Sequence, residues 1–123
     1  RPAGRTAAVD RVASLLHSAG ATPPGADELR AAGLNRQVEG YLLRSGEAER
    51  LPGGVLIARP ALEAMTQQVR RLLAAHPEGL TVAQLRDRLG TTRRVLVPLL
   101  ERLEQNRTTV RRGDLHLPNS EKS

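Results

Sequence analysis

Residues 91–118 read "TTRRVLVPLLERLEQNRTTVRRGDLHLP", and two different periodicities meet inside this stretch. Leu96, Leu99, Leu100 and Leu103 recur at the i, i+3, i+4, i+7 spacing that lays apolar side chains along one face of a helix. Thr91 or Thr92 is placed to cap that helix. Pro98 falls within its first two turns, where a missing N–H costs less than in the interior, so the helix is expected to run on with some kink near Arg94. From Thr108 to Leu117 the pattern alternates around Gly113 and Asp114, the signature of a hairpin turn. A capped helix that passes straight into a hairpin is the second half of a winged helix, a helix-turn-helix whose hairpin forms the wing.

The residues before it supply the first half. Pro60 suits the first turn of a long helix in which Leu62, Met65, Val69, Leu72 and Leu73 mark one face, and "HPEG" at 76–79 breaks it. Thr81 and Gln84 make a capping box, with Leu80 and Leu85 as its hydrophobic staple, so a short helix should run to Leu89 and stop at Gly90. The same order stands once more upstream. Thr6 can cap a helix ending at Gly20, "ATPPG" at 21–25 turns, Ala26 to Ala32 is short and helical, and Asn35 caps a third helix from Arg36 to Ser45. "ERLPGGVLIA" at 49–58 then reads as a two-stranded hairpin around Pro-Gly-Gly.

An offset of 57 places Val12 on Val69, Leu15 on Leu72, Gly33 on Gly90, Arg36 on Arg93 and Leu42 on Leu99, which is an internal duplication. The expected fold class is therefore mainly α with small β-hairpins, as two tandem winged-helix domains at 6–59 and 60–118. Residues 1–5 and 119–123 are expected to be flexible termini. The first domain reads as a structural spacer. No Gly/Ser linker separates the two at Ala58 to Pro60, so the long helix should leave the first wing directly.

Charge distinguishes the copies. The chain of 123 residues carries 19 basic against 13 acidic side chains, with a pI near 11.3, a balance that favours a polyanionic partner. Eighteen of the cations are arginine, each a planar fork suited to bidentate phosphate contact. In the first copy the third helix opens "NRQVEG" and the wing "LPGGVLIA" is uncharged; in the second the helix opens "TTRRVL" and the wing reads "TTVRRGDL". Because the start of the third helix and the wing tip lie on one side of a winged helix, Arg93, Arg94, Arg107, Arg111 and Arg112 are expected to form one basic surface. Four or five neutralised phosphates would give log K against log salt a slope of roughly −3 to −5.

That surface suits RNA better than DNA. Beyond Arg94 the helix is mostly apolar or acidic, which fits poorly in a DNA major groove, and the major groove of A-form RNA is too narrow for a helix at all. An RNA hairpin gripped by a few phosphates and one or two splayed bases matches the residues available. With no Phe or Trp, and Tyr41 in the other copy, aromatic stacking platforms are excluded. A winged-helix DNA-binding transcription regulator is the alternative, and a protein-interaction module the third possibility.

Residues 91–118 also resemble the last winged-helix domain of the bacterial selenocysteine-specific elongation factor, SelB. Thr92, Arg93 and Arg94 match its helix opening, Pro98 to Glu101 its middle, Glu104 an acidic position, and Thr109, Arg111, Gly113 and Asp114 its wing. The sequence departs from that pattern at Arg107, where glycine is usual, and at His116, where arginine is usual. The resemblance implies that the chain is the RNA-binding C-terminal part of such a factor, gripping the SECIS hairpin of a selenoprotein mRNA through Thr92, Arg93, Arg94, Arg107, Thr109, Arg111, Arg112, Gly113 and His116. It would tether the factor for selenocysteine incorporation at a UGA codon, meet the ribosome through the parent factor, and act as a cytoplasmic monomer away from membranes. The P-loop pattern G-x-x-x-x-G-K-[ST] of the family's GTPase part is absent from this sequence, so nucleotide hydrolysis would reside elsewhere in the factor. No enzyme activity, catalytic residue, cofactor or metal site is expected. Cys is absent, and His17, His76 and His116 lack metal-ligand spacing.

Overall fold

A computed structural model describes residues 5–119. Three helices lead into a hairpin, and the order then recurs: α1 (Ala7–Ala19), α2 (Ala26–Ala32), α3 (Arg36–Ser45), β1 (Ala48–Arg50) and β2 (Leu56–Ala58), followed by α4 (Arg59–Ala75), α5 (Val82–Leu89), α6 (Arg93–Gln105), β3 (Thr109–Arg112) and β4 (Leu115–Pro118). Local chemistry fixes the starts. The Thr6 hydroxyl accepts from Val9 N at 3.2 Å, Asn35 Oδ1 accepts from Val38 N at 2.9 Å, and Thr81 with Gln84 closes both bonds of a capping box. Thr92 occupies the N-cap of α6 without a side-chain cap bond. The helix is continuous through Pro98. Of the termini expected to be flexible, residues 1–4 and 120–123 lie outside the described residues. Arg5 pairs with Asp10 and Glu47, and the Asn119 amide donates to the Arg107 carbonyl at 2.8 Å.

Each hairpin is an antiparallel pair, β1 with β2 and β3 with β4. The second gains a third member, because Leu80 just before α5 exchanges two backbone hydrogen bonds with His116 of β4, at 2.9 and 2.8 Å. Gly79 makes that approach possible: it has φ +100, and a Cβ there would lie 3.0 Å from the Leu115 side chain and 3.2 Å from the His116 carbonyl.

The first hairpin does something a free wing does not. All three residues of β2 are buried, and they divide between two cores. Leu56 and Ala58 join Val9, Val12, Leu16, Val38 and Leu42 in the core of the first unit. Ile57, with Leu51 from the turn, is fully enclosed in the core of the second unit, among Leu62, Met65, Val69, Leu96 and Leu99. Because successive strand side chains point to opposite faces, one strand serves both cores. Burying Leu51 and Ile57 there contributes about 1.5–3 kcal/mol each relative to exposure. Glu49 pairs with Ile57 across the hairpin and so faces the second unit, where its carboxylate meets Arg59 of α4 at 3.1 Å and Arg102 of α6. Two further bonds cross between the units: the Thr91 hydroxyl donates to the Ala21 carbonyl at 2.6 Å, and the Arg94 guanidinium donates to the Pro23 carbonyl.

Candidate nucleic-acid interface

The second hairpin carries the arginines that the sequence singles out. β3 and β4 are joined by the two residues Gly113 and Asp114, with Gly113 at φ +61 and Asp114 on the ordinary negative side. A positive φ at the first central position alone is the II′ pattern, whose twist matches the flanking strands and which favours glycine. The turn tip is exposed, and nothing lies within 4 Å of where a Cβ at Gly113 would sit, so open space is left for a ligand's approach. Arg111 and Arg112 precede the turn and, as neighbours on a strand, leave from opposite faces of the wing. Both are exposed. Arg111 Nε donates to the Gly113 carbonyl at 3.0 Å, which steers its guanidinium along the tip.

Arg107 sits at the wing's base in an unusual backbone state. Its φ is +64, and it is the only non-glycine residue with positive φ among the described residues. Its amide donates to Glu104 O at 3.1 Å and its carbonyl accepts from Asn119. A left-handed residue at this point explains why glycine suits the position; here an exposed guanidinium is placed there at the cost of some strain. Arg93, the first residue of α6, is exposed as well. None of Arg93, Arg107, Arg111 and Arg112 makes an ion pair with a carboxylate among the described residues, whereas Arg5, Arg30, Arg50, Arg59, Arg86 and Arg102 all do. A guanidinium without a carboxylate partner has no ion pair to give up when it meets a phosphate.

Three expected contact residues are placed differently. Arg94 is not free beside Arg93, because its guanidinium is turned onto Pro23 of the first unit. Thr109 and His116 are 2% and 3% exposed, so they belong to the inner side of the wing rather than its surface. The physical reason is packing: Thr109 and His116 share one face of the hairpin, and β3 and β4 lie against α6 and α4. His116 Nδ1 lies 3.4 Å from a Glu104 oxygen without hydrogen-bond geometry, and the Thr109 hydroxyl is buried without a protein partner. Burial pushes the His116 imidazole below its ordinary range and nearby Arg111 adds to this, while Glu104 opposes it. Thr92 is exposed with its hydroxyl uncommitted to the helix end.

The inter-unit roles of Glu49, Leu51, Ile57 and Thr91 were not foreseen from the sequence, in which Thr91 stood only as a candidate helix cap. One signal was available: the apolar run "VLIA" at 55–58 lacks the alternation of a half-exposed strand, which is the pattern of a strand buried on both faces.

Residues 71–117 match the family described as "Elongation factor SelB, winged helix". The match falls wholly within the second unit. Among solved structures, a bacterial selenocysteine-specific elongation factor superposes with a TM-score of 0.71 at 22% identity, covering 92% of this chain and 18% of the factor. The mRNA-binding domain of E. coli elongation factor SelB, solved in complex with SECIS RNA, superposes with a TM-score of 0.67 at 20% identity, covering 94% of this chain and all of that one. These likenesses extend the SelB-type fold over both units. The present chain thus spans less than a fifth of the length of the larger factor it resembles. No curated protein matches the sequence.

Among the described residues, no group of three or more His, Asp and Glu side chains gathers as a metal site would require. Nor, among the described residues, is any helix long and apolar enough to cross a membrane.

Proposed function

We propose that this chain is the mRNA-binding part of a selenocysteine-specific elongation factor, and that its second unit grips the SECIS-type hairpin of a selenoprotein mRNA. The observation that carries this reading is a coincidence of place: the segment matching the SelB winged helix also carries Arg93, Arg107, Arg111 and Arg112, all exposed and without carboxylate partners. Arg93 at the head of α6 and Arg107, Arg111 and Arg112 on the wing are the phosphate contacts, and Thr92 and Gly113 approach the backbone between them. Arg94, Thr109 and His116 act from behind: the first fixes the helix against the neighbouring unit, and the other two fill the underside of the wing. Residues 6–59 position the reader, and residues 60–118 do the reading.

A binding role without chemistry follows from the same parts. The chain would hold its factor close to one codon, raising local concentration there, while nucleotide hydrolysis and ribosome contacts reside in the remainder of the factor. Reading duplex DNA is disfavoured by α6 itself. Val95, Leu96, Leu99, Leu100 and Leu103 are buried and the exposed side chains past Arg94 include Glu101, leaving little to address base edges in a major groove.

Titration with a loop-bearing RNA hairpin, the same stem with its loop replaced, and a DNA duplex tests the reading. Tightest binding to the intact hairpin is expected. Converting Arg93, Arg111 and Arg112 together to Ala should weaken that binding about a hundredfold near physiological salt and reduce the magnitude of the salt slope by roughly 2 to 3. Equal affinity for all three nucleic acids would refute hairpin reading.

A further inference from the structure

The first unit has a basic face of its own. Arg36 and Arg44 of α3 line an open hollow of about 710 Å³ together with Asn35, Gln37, Tyr41 and Thr6. No carboxylate lines it. This is selective, because the other described arginines of this unit are committed elsewhere. Arg5 pairs with Asp10 and Glu47, Arg30 with Asp27, Arg50 with Glu39, and Arg11 donates to the Ala32 carbonyl. Glu39, one turn along from Arg36, is held away by Arg50 at 2.6 Å. Arg36 and Arg44 alone are left exposed with neither an ion pair nor a side-chain hydrogen bond of any kind among the described residues of the first unit. They sit on the helix that corresponds by position to α6, and Arg36 occupies the place in the repeat that Arg93 occupies in the second unit.

We propose that this hollow is a second phosphodiester-backbone site, through which the first unit engages an RNA duplex independently of any loop. The wing of the first unit contributes no residue to its lining, and β2 of that wing is buried between the two cores. Two guanidiniums without a reading wing can bind backbone but not sequence, so the site adds affinity and orientation rather than specificity. Asn35 and Gln37 provide neutral donors at its rim, and Tyr41 is already covered on one side by the Arg5 guanidinium, 5.6 Å from the ring centre.

A loop-less RNA duplex is the probe, so the outcome does not depend on hairpin reading by the second unit. The Arg36→Ala/Arg44→Ala double variant of the whole chain should bind it five- to twentyfold more weakly near physiological salt, and its salt slope should shrink in magnitude by roughly 1.5, about 0.7–0.9 per lost contact. The Lys double variant should retain most of the slope. The unfolding midpoint should stay put, because both side chains are exposed. Two arms separate the sources of the backbone. If one RNA spans both units, a long-stemmed hairpin loses affinity in the double variant and a short-stemmed one does not. If two RNAs bind, the duplex still binds wild-type chain saturated with the short hairpin, and the variant loses this second binding. Duplex affinity and salt slope unchanged in the double variant would overturn the proposal.

Discussion

The two wings share a skeleton and have opposite fates. In the first, "LPGGVLIA" at 51–58 has no charge, and its strand is buried on both faces as a shared wall between two cores. In the second, "TTVRRGDL" at 108–115 ends in an exposed tip flanked by two arginines without carboxylate partners. A hairpin that follows a helix can thus be used as mortar or as a hand, and side-chain chemistry decides which. Apolar residues on both faces commit it to protein; guanidiniums on both faces keep it in water until an anion arrives. The arrangement also explains why the free wing arginines lie in the second unit: β2 of the first wing is committed to protein on both faces.

The sharpest way to break the comparison is to put a charge into each wing in turn. Ile57→Asp sets a carboxylate inside the second core, where Ile57 is wholly inaccessible. A loss on the order of 4–5 kcal/mol is expected, enough to unfold much of the protein. Val110→Asp, on an exposed position of the second wing, should change stability by no more than about 0.5 kcal/mol. Urea unfolding of the two variants measures both. Similar losses would mean that the wings do not differ as described.

A smaller effect sharpens what joins the units. Glu49→Gln keeps the shape of the side chain but removes the charge shared by Arg59 and Arg102. Both guanidiniums retain solvent contact, at 46% and 36% side-chain exposure, so screening limits the loss to about 1 kcal/mol. Combining Glu49→Gln with Arg102→Ala should cost less than the sum of the two single changes. Strict additivity would remove the carboxylate from the boundary's energetics.

Most of the fold was legible because its signals are local. Caps at Thr6, Asn35 and Thr81, stops at Gly33 and Gly90, and the Gly113 turn are decided within a few residues, and the element order came out as the periodicities predict. Which faces meet is a different matter. Arg93 and Arg94 are adjacent in sequence and chemically identical, yet the second finds Pro23, 71 residues away, a pairing no local pattern encodes. His116 and Thr109 fall on the alternation of an exposed hairpin, and they are buried because the wing lies against α4 and α6. On α3, Tyr41 packs against the first core while Leu43, two residues on, is left exposed. The exposed arginines of the wing were legible because a charged tip needs no partner to be where it is.

Arg107 gives the finest test, because strain and function separate at that one residue. Its left-handed backbone penalises any side chain with a Cβ by about 1 kcal/mol, and glycine removes that penalty while gaining freedom in the unfolded chain. The two terms nearly cancel, so Arg107→Gly should gain a few tenths of a kcal/mol at most. Arg107→Ala keeps the Cβ, and with it the strain, and should not gain. RNA binding behaves otherwise. If the guanidinium meets a phosphate, both variants lose the same contact, weaken hairpin affinity three- to fivefold near physiological salt, and reduce the salt slope by about 0.8. Parallel melts and titrations of the two variants therefore yield a split outcome: unequal stability with equal loss of affinity. If affinity follows the backbone instead, falling for Ala and holding for Gly, then Arg107 shapes the base of the wing without touching the ligand, and the phosphate contacts belong to the tip and to Arg93 alone.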